Sequence, residues 1–389
     1  MNTTMKRFLG MVLVVTMLLT LFVGCSPKEQ DVETEKTEQA AKEETTEAAS
    51  TEKAETTEAE ETEATKTTEA AEDITNSAMK EAEEALLKAL EPLPEKDTGA
   101  KLGAIESTLS NPFWITMQNG YEDAAEEYGV TIEVKATTTE TDLTGQLDIM
   151  NAMIAQEFDA IAISPLTEQN LIPGIVEANK ADIKVVTVGN NVNKEALDAA
   201  EGVVVAHVTS DFKLQGQMGA DFIIEKLNGE GKVAVIEGIP GATQSEARKN
   251  GALEAFEAAG MEVLPVVTAN FDRQAAYDAT LALITANPDL KGITCGNDIM
   301  ALGAIQALKE SDMKEQVFVV GVDFIDEARE SIKNGELDAT VAMSPYLFGK
   351  GGTIVALKAI RGDEFNEDII WTPQKLVEKG NVDTMEGWK

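Results

Sequence analysis

From about residue 100 to the C-terminus, short apolar runs alternate with longer segments in which apolar residues recur at helical spacing. One helical face, for example, holds Met117, Tyr121, Ala124, Ala125 and Tyr128. The apolar runs predict strands at residues 131–134, 160–163, 185–188, 203–205, 233–236, 263–267, 292–294, 317–320 and 340–342. Apolar strands that alternate with helices predict an α/β fold of doubly wound parallel sheets. Because roughly 290 residues exceed one ordinary domain, we expect two such lobes.

The segment before this region has a different pattern. Residues 29–73 contain 17 acidic and 4 basic residues, and most of the others are Thr and Ala. A segment with so few large apolar residues cannot offset its ordering entropy, so we predict a disordered, self-repelling spacer. Residues 78–90 carry apolar residues at helical spacing and predict a short amphipathic helix, which Pro92 and Pro94 end. We expect the folded part to begin near Ala100.

The N-terminus has the pattern of an export signal. Lys6 and Arg7 precede an apolar run over residues 8–23, and Gly24 and Cys25 follow it. The run is shorter than the ~20 apolar residues that span a bilayer. Residues 21–25 resemble a bacterial lipobox, in which the cysteine is acylated and becomes the mature N-terminus. The alternative is an ordinary signal peptide in which Cys25 has no such role.

Charge and cysteine content exclude several classes of protein. The formal net charge is −37, and no basic stripe of the kind that nucleic acid requires is present. If Cys25 carries lipid, the only other cysteine, Cys295, has no partner for a disulfide within the chain. We expect Cys295 to be a small buried residue at a strand end, and the single histidine, His207, to be a core or hinge residue. We predict no metal site and no cofactor.

Polar and aromatic residues follow the predicted strands. They include Ser164, Asn190, Thr209, Glu237, Phe271, Asn297 and Asp323. In open α/β sheets ligands bind at the carboxyl ends of the strands, so these side chains predict a binding site at that edge. Amides and carboxylates exchange hydrogen bonds with hydroxyl groups, and an aromatic ring covers the C–H face of a sugar. The pattern therefore favours a small sugar or polyol as the ligand.

Five segments, in the same order and spacing, resemble the periplasmic ribose- and allose-binding proteins. They are residues 107–114, Arg248 with residues 251–256, and residues 269–273, 297–303 and 319–323. The resemblance extends over residues 100–380. It implies the fold of a type I periplasmic binding protein, in which a three-segment hinge joins two lobes that close on one sugar. It also implies that the sugar is delivered to an ABC transporter permease.

The N-terminal pattern and the resemblance together divide the chain. Residues 1–24 form the signal peptide, and residues 25–97 form the lipidated cysteine and the disordered acidic spacer. The N-terminal lobe comprises residues 98–209 and 343–373, and the C-terminal lobe comprises residues 210–342 and 374–389. We expect a monomer outside the cytoplasm, anchored to the cell membrane by lipid on Cys25 and by no other segment.

The resemblance also implies the polar contacts to the sugar. The Asn111 amide would bond a ring hydroxyl, and Asn297 and Asp323 would exchange hydrogen bonds with other hydroxyls. Arg248 would offer a fork of two N–H donors, which suits a pair of adjacent hydroxyls.

Aromatic contacts follow from the same resemblance. Phe113 or Trp114 would cover one face of the sugar ring, and Phe271 would cover the other. Together these aromatic residues would form a sandwich around the sugar ring.

At three further ligand-binding positions this chain departs from its relatives. Ser107 stands where the allose branch has a lysine, and Met343 stands where the ribose branch has a glutamine. Gly189 and Asn190 replace a charged pair. Because a site built for particular hydroxyls rejects analogues that lack them, these changes leave the ligand open among a pentose, a hexose, a polyol and a furanosyl autoinducer.

Three other classes of protein are alternatives to a sugar-binding protein. An enzyme on a nucleotide-binding fold would carry Gly-x-Gly-x-x-Gly or a Gly-x-x-x-x-Gly-Lys-Ser/Thr loop, and neither motif is present, so we expect no catalysis. A sugar-responsive repressor would carry a basic helix-turn-helix where this chain has its signal and spacer. A receptor that presents its ligand to a sensor kinase or chemoreceptor would have the same binding chemistry and stays open as an alternative.

Overall fold

The computed structural model of the chain describes residues 77–365, 368–385 and 388. The predicted signal peptide, Cys25 and the acidic segment 29–73 lie outside these residues. The first described element is helix α1 (Ser77–Ala89), which confirms the amphipathic helix expected over residues 78–90. Within the described residues, no helix combines the length and apolarity needed to span a bilayer.

Helix α1 belongs to the folded body, so the prediction that a disordered spacer runs to residue 97 and that folding begins near Ala100 is wrong. Leu86 and Leu90 are buried to 1% exposure. Lys358 Nζ donates to the carbonyl oxygens of Leu90 and Pro92, each at 2.8 Å. The apolar face of α1 therefore packs against the folded body. The spacing of apolar residues predicted the helix but could not show that the rest of the chain offers a surface for it.

The rest of the chain alternates strands and helices. The first half contains β1 (Lys101–Thr108), α2 (Pro112–Tyr128), β2 (Thr131–Thr137), α3 (Leu143–Ile154), β3 (Ala160–Ile163), α4 (Ile172–Lys180), β4 (Lys184–Val188), α5 (Lys194–Ala199) and β5 (His207–Thr209). The second half contains α6 (Phe212–Leu227), β6 (Lys232–Glu237), α7 (Thr243–Ala258), β7 (Glu262–Val263), β8 (Val267–Thr268), α8 (Arg273–Ala286), β9 (Leu290–Cys295), α9 (Asp298–Glu310), β10 (Phe318–Asp323), α10 (Asp326–Asn334) and β11 (Ala339–Met343). The last elements are α11 (Pro345–Arg361), β12 (Ile369–Trp371) and β13 (Gln374–Glu378).

Two sheets organise these elements into two lobes. The first sheet has the order β12-β5-β4-β3-β1-β2, and all of its strands are parallel. The second has the order β13-β11-β10-β9-β6-β7, with β8 also paired to β6, and only β13 runs antiparallel to its neighbour. The predicted fold of two doubly wound parallel-sheet lobes is confirmed.

The chain passes between the lobes three times. Residues 210 and 211 connect β5 to α6, Ser344 connects β11 to α11, and residues 372 and 373 connect β12 to β13. Helix α11 packs on α2, β3 and β4 of the first lobe, whereas α6 packs on α7 and β10 of the second. Two of the three connections lie close together, because the Ser210 hydroxyl is 2.7 Å from the Thr372 hydroxyl.

Several strand predictions need correction. The strand expected at residues 203–205 lies instead at β5, and Val203 is exposed. The run 263–267 is split into the two short strands β7 and β8. Strands β1, β12 and β13 were missed. β1 and β13 mix polar and apolar residues, and β12 is only three residues long, so each is defined by its neighbours in the sheet.

Each lobe contains a pair of helices that pack through glycine. A Cβ at Gly216 on α6 would overlap the carbonyl oxygen of Arg248 on α7. A Cβ at Gly120 on α2 would likewise overlap the carbonyl oxygen of Tyr346 on α11. The missing side chains let the two backbones of each pair approach closely, and in the second lobe this approach fixes the position of Arg248.

Candidate functional site

A cavity of about 350 Å³ lies between the two lobes. Its lining residues come from both lobes and are Asn111, Phe113, Trp114, Glu140, Gly189, Asn190, Phe212, Gln244, Arg248, Phe271, Asn297, Asp323 and Phe348. Many of the lining residues lie at the carboxyl end of a strand or just beyond it, the edge at which parallel sheets bind ligands.

Arg248 is the most extensively bonded side chain of the cavity. Its Nε donates to Gln215 Oε1 at 2.8 Å, and its Nη1 donates to the Gly296 carbonyl oxygen at 2.7 Å. Its Nη2 lies 3.4 Å from Asp323 Oδ1, and Phe212 packs against the guanidinium 5.3 Å from the ring centre. Burial lowers the pKa of Arg248, and the neighbouring carboxylates oppose this shift. These contacts hold the charged fork in one orientation before any ligand arrives.

Asp323 reaches the cavity from an unusual backbone conformation. It is the last residue of β10, and its φ of +116° lies in a region that residues other than glycine rarely adopt. Phe324 follows with a φ of +62°. Burial raises the pKa of Asp323 well above its usual value, and Arg248 acts in the opposite direction. Strain of this kind is concentrated at binding sites, where the surrounding structure maintains it.

Asp298 supports the same loop from below the cavity. Its carboxylate accepts from Thr340 Oγ1 at 2.6 Å and from the Ile325 backbone N–H at 3.1 Å. Burial raises the pKa of Asp298 to about 7. The residue does not line the cavity, so its part is to hold the strained turn after Asp323 in place.

Two asparagines of the cavity cap helices. Asn111 Oδ1 accepts from the Phe113 backbone N–H at 3.1 Å at the start of α2. Asn297 Oδ1 accepts from the Met300 backbone N–H at 3.0 Å at the start of α9. Because capping uses the oxygen, each asparagine turns its amide nitrogen away from the helix. The Asn297 nitrogen has no partner among the described residues and is available to a ligand acceptor.

The aromatic residues lie on both walls. In the first lobe, the Phe113 and Trp114 rings meet edge to face at 5.0 Å, and Phe348 lies 6.3 Å from Phe113. In the second lobe, Phe271 lies in a loop with a φ of +59°. A Cβ at Gly238 would overlap the Phe271 ring, so that glycine leaves the room the ring occupies. The structure thus brings together the aromatic side chains expected on the two faces of a sugar ring.

Ser107 and Met343 are the two predicted site residues that do not line the cavity. Ser107 lies next to the last residue of β1 and is buried. Met343 is fully buried at the end of β11, and its Sδ accepts from Gln215 Nε2 at 3.1 Å. Met343 therefore lies behind Arg248 rather than beside the ligand space. Ligand contacts at Ser107 and Met343 stay predictions, and neither residue lines this cavity.

Asn111, Phe113, Trp114 and Asn190 are brought to the cavity from the first lobe. Arg248, Phe271, Asn297 and Asp323 reach it from the second. The Asn190 amide nitrogen donates to the Pro165 carbonyl oxygen at 3.0 Å, which leaves its oxygen for the cavity. All eight were predicted as ligand-binding residues, and their roles toward a particular ligand stay predictions.

Four lining residues were not predicted from the sequence: Glu140, Phe212, Gln244 and Phe348. Gln244 lies in the first turn of α7, four residues before Arg248, so helical spacing places both side chains on one face. The four-residue spacing could therefore have predicted that Gln244 lies beside Arg248 at the site. Glu140 lies in the loop after β2, Phe212 begins α6 and Phe348 lies on α11, and no pattern along the chain connects them to the site.

A hydrogen bond joins the two lobes beside the cavity. Thr243 Oγ1, at the start of α7 in the second lobe, donates to the Asn191 carbonyl oxygen in the first lobe at 3.1 Å. Each residue is adjacent in sequence to a lining residue, Gln244 and Asn190 respectively. The walls of the cavity are therefore held together directly at this point as well as through the three connections.

His207 and Cys295 are buried within their strands and do not line this cavity. His207 is buried in β5, where its Nδ1 lies 2.9 Å from Thr187 Oγ1, and burial lowers its pKa to about 4. Cys295 is buried at the end of β9, which confirms the expected position, and burial raises its pKa. No group of three or more His, Cys, Asp or Glu side chains within the described ranges is arranged to hold a metal ion.

Comparisons with known proteins agree with this architecture. Residues 103–364 match the family model of the periplasmic binding protein domain. The D-allose-binding periplasmic protein of Escherichia coli is 38% identical over 65% of this chain and 82% of its own length. The ribose import binding protein of Haemophilus influenzae is 32% identical over 68% of this chain and 86% of its own length.

A solved structure extends the similarity to three dimensions. A periplasmic solute-binding protein of an ABC transporter from Actinobacillus succinogenes, with bound D-allose, superposes with a TM-score of 0.69 and 29% identity, covering 73% of this chain and 99% of its own. The resemblance seen in the sequence is confirmed. The chain belongs to the periplasmic binding protein family, whose sugar-binding members serve ABC transporters.

Proposed function

We propose that this chain captures one small sugar or polyol between its lobes and delivers it to an ABC transporter permease, without catalysing a reaction. The observation that carries the proposal is the fixed guanidinium fork of Arg248 in the cavity between the lobes. Beside it lie a carboxylate, Asp323, and the amide nitrogen of Asn297. This combination of fixed donors and acceptors suits adjacent hydroxyl groups, and the surrounding rings suit the apolar face of a sugar.

The relatives support the class of ligand but not one member of it. Solved neighbours carry D-allose in one case and, in a Bacillus halodurans protein 26% identical to this chain, myo-inositol. Gly189 and Asn190 give this cavity a neutral wall where a charged pair was expected from the family. We therefore propose a pentose, hexose or cyclic polyol of monosaccharide size, with a furanosyl autoinducer as the outlying candidate.

A thermal-shift panel of pentoses, hexoses, polyols and autoinducer analogues tests the proposal on the full-length protein in a mild detergent. A ligand at ~100 times its dissociation constant adds ~2.7 kcal/mol of stability and raises the melting temperature. Arg248→Ala and Asp323→Ala should each remove most of the shift, whereas Lys180→Ala, an exposed change on α4, should preserve it. If no compound of the panel shifts the melting curve, the proposed ligand class is wrong.

We further propose that the protein is a monomer tethered outside the cytoplasm by lipid on Cys25. Several acyl chains, each contributing ~0.8 kcal/mol per buried CH₂, make such an anchor stable. Cys25→Ala should release the protein into the medium, and a mutant that stays with the membrane fraction argues against this anchor.

We also propose the division of the chain into lobes. The first lobe comprises residues 98–209 and 343–373 together with α1, and the second comprises residues 210–342 and 374–389.

The second candidate function is a receptor that presents its ligand to a sensor kinase or chemoreceptor. The same cavity and the same closure serve both functions, so the discriminating observation is the partner. Transport predicts that loss of this protein abolishes uptake of the labelled ligand. Sensing predicts that uptake continues while the transcriptional or swimming response to the ligand disappears.

A further inference from the structure

The cavity contains more acid than base. Glu140, Arg248 and Asp323 are its ionisable lining residues. Arg248 and Asp323 are 3.4 Å apart and form an ion pair, whereas Glu140 has no cation within 4 Å among the described residues. Buried or half-buried charges in proteins are normally paired, so Glu140 is the unbalanced group of the site.

One oxygen of Glu140 is fixed and the other is free. Oε1 accepts from the Trp114 indole N–H at 3.0 Å and from the Asn111 amide at 3.3 Å. Oε2 has no hydrogen-bond partner among the described residues. The two donors hold the carboxylate against the first-lobe wall, so the free oxygen is presented to the cavity in a defined position.

A second unsatisfied acceptor faces the same space from the other lobe. Gln244 is 8% exposed, and its Oε1 is buried without a hydrogen-bond partner among the described residues. A buried acceptor left unpaired is unfavourable, so a ligand that supplies donors is favoured here. Asn190 adds a third acceptor, since its nitrogen is bonded to Pro165.

The excess of acceptors and the unpaired acid distinguish between kinds of ligand. A hydroxyl group donates one hydrogen and carries no charge, whereas an ammonium group donates three and is a cation. We infer that the cavity prefers a sugar or polyol that bears an amino group, and that Glu140 binds the ammonium while Arg248 and Asp323 bind hydroxyls. This inference rests on the proposed function, because it adds one substituent to the ligand class proposed above.

The test compares matched ligands on the full-length protein. D-Allose, D-ribose and myo-inositol are titrated calorimetrically beside their amino-deoxy derivatives, substituted at each ring position in turn, and beside the N-acetyl forms, which keep the nitrogen but remove the charge. At least one amine is expected to bind tenfold tighter than its parent, which corresponds to ~1.4 kcal/mol. The N-acetyl form should lose that advantage.

Variants assign the effect to one side chain. Glu140→Gln keeps an acceptor for the Trp114 indole but removes the charge, so the advantage of the amine over its parent should disappear. Glu230→Gln removes the same charge from an exposed position after α6 and should leave the advantage intact. If the neutral parents bind and every amine binds no tighter, the inference fails while the proposed function stands. If neither parents nor amines bind, the proposed function itself fails.

Discussion

The Ser210 hydroxyl lies 2.7 Å from the Thr372 hydroxyl, and the pair joins two of the three segments that connect the lobes. Both residues are buried, and Thr372 Oγ1 also lies 3.3 Å from the Thr209 carbonyl oxygen. Two of the three connecting segments are therefore bonded to each other rather than being independent linkers. Substitutions at this point should change both the free energy of unfolding and the closure of the lobes.

Thr372→Val tests the connection, because valine keeps the volume and removes the hydroxyl. Loss of a buried hydrogen bond should lower the free energy of unfolding by ~1–3 kcal/mol and weaken ligand affinity. Urea unfolding and calorimetric titration measure the two effects. Thr285→Val, the same chemical change at an exposed position on α8, is the control. Unchanged unfolding and affinity in Thr372→Val would mean that this pair does not couple the lobes.

Gln215→Leu tests how Arg248 is positioned. The substitution leaves Arg248 Nε buried without its acceptor, so the fork should lose its fixed orientation. We expect ligand affinity to fall by about 1–3 kcal/mol, roughly five- to a hundredfold. Gln217→Leu, an exposed change two residues further along α6, should leave affinity unchanged. Equal affinities for the two variants would show that Arg248 is held by its other contacts.

Glu106 carries a buried carboxyl group that should oppose folding at neutral pH. The residue is fully buried in β1, neither oxygen has a hydrogen-bond partner among the described residues, and burial raises its pKa from 4.5 to about 9. The folded state therefore keeps the proton, while the unfolded chain releases it above pH 4.5. Stability is lost as the pH rises from 4.5 to 9, by ~3 kcal/mol at pH 7.

Glu106→Gln should accordingly stabilise the protein by up to ~3 kcal/mol at pH 7 and flatten the loss of stability between pH 5 and pH 9. Urea unfolding at pH 5, 7 and 9 measures this directly. Glu201→Gln, at an exposed position after α5, should have little effect. A Glu106→Gln protein with the wild-type pH profile would show that the carboxyl group is solvated or paired in solution.

Leu86→Ala tests whether α1 is part of the folded body. Removing a side chain that is 1% exposed should leave a cavity and cost ~2–5 kcal/mol of unfolding free energy. Leu93→Ala, at 37% exposure beyond the end of the helix, is the matched control. If both variants unfold at the wild-type urea concentration, the folded part begins after residue 90.

Local sequence was sufficient for part of the site. Phe271, Asn297 and Asp323 follow predicted strands, so their position at the sheet edge was predicted from the pattern along the chain. Asn111 and Arg248 were placed at the site only by resemblance to relatives. Ser107 and Met343 show the limit of reasoning from relatives. A matching position in a related sequence does not determine whether the side chain lines the cavity.

The remaining contacts depend on residues far apart in the chain. Glu140 meets Trp114 because β1 and β2 are adjacent in the sheet, and Gln215 meets Arg248 because α6 and α7 pack closely at Gly216. Neither contact is indicated by the spacing of residues along the chain. The same holds for α1: the sequence predicted its apolar face but not the surface against which that face packs.

Export and spacer signals, fold class and the polar edge of each sheet follow from periodicity and composition, since strands, helices and charge runs reflect interactions between near neighbours. The order of the strands, the approach of α6 to α7 and the cavity between the lobes arise from packing between distant segments. Whether an acid is paired is a property of that packing, and for that reason the unbalanced charge of Glu140 was visible only in three dimensions.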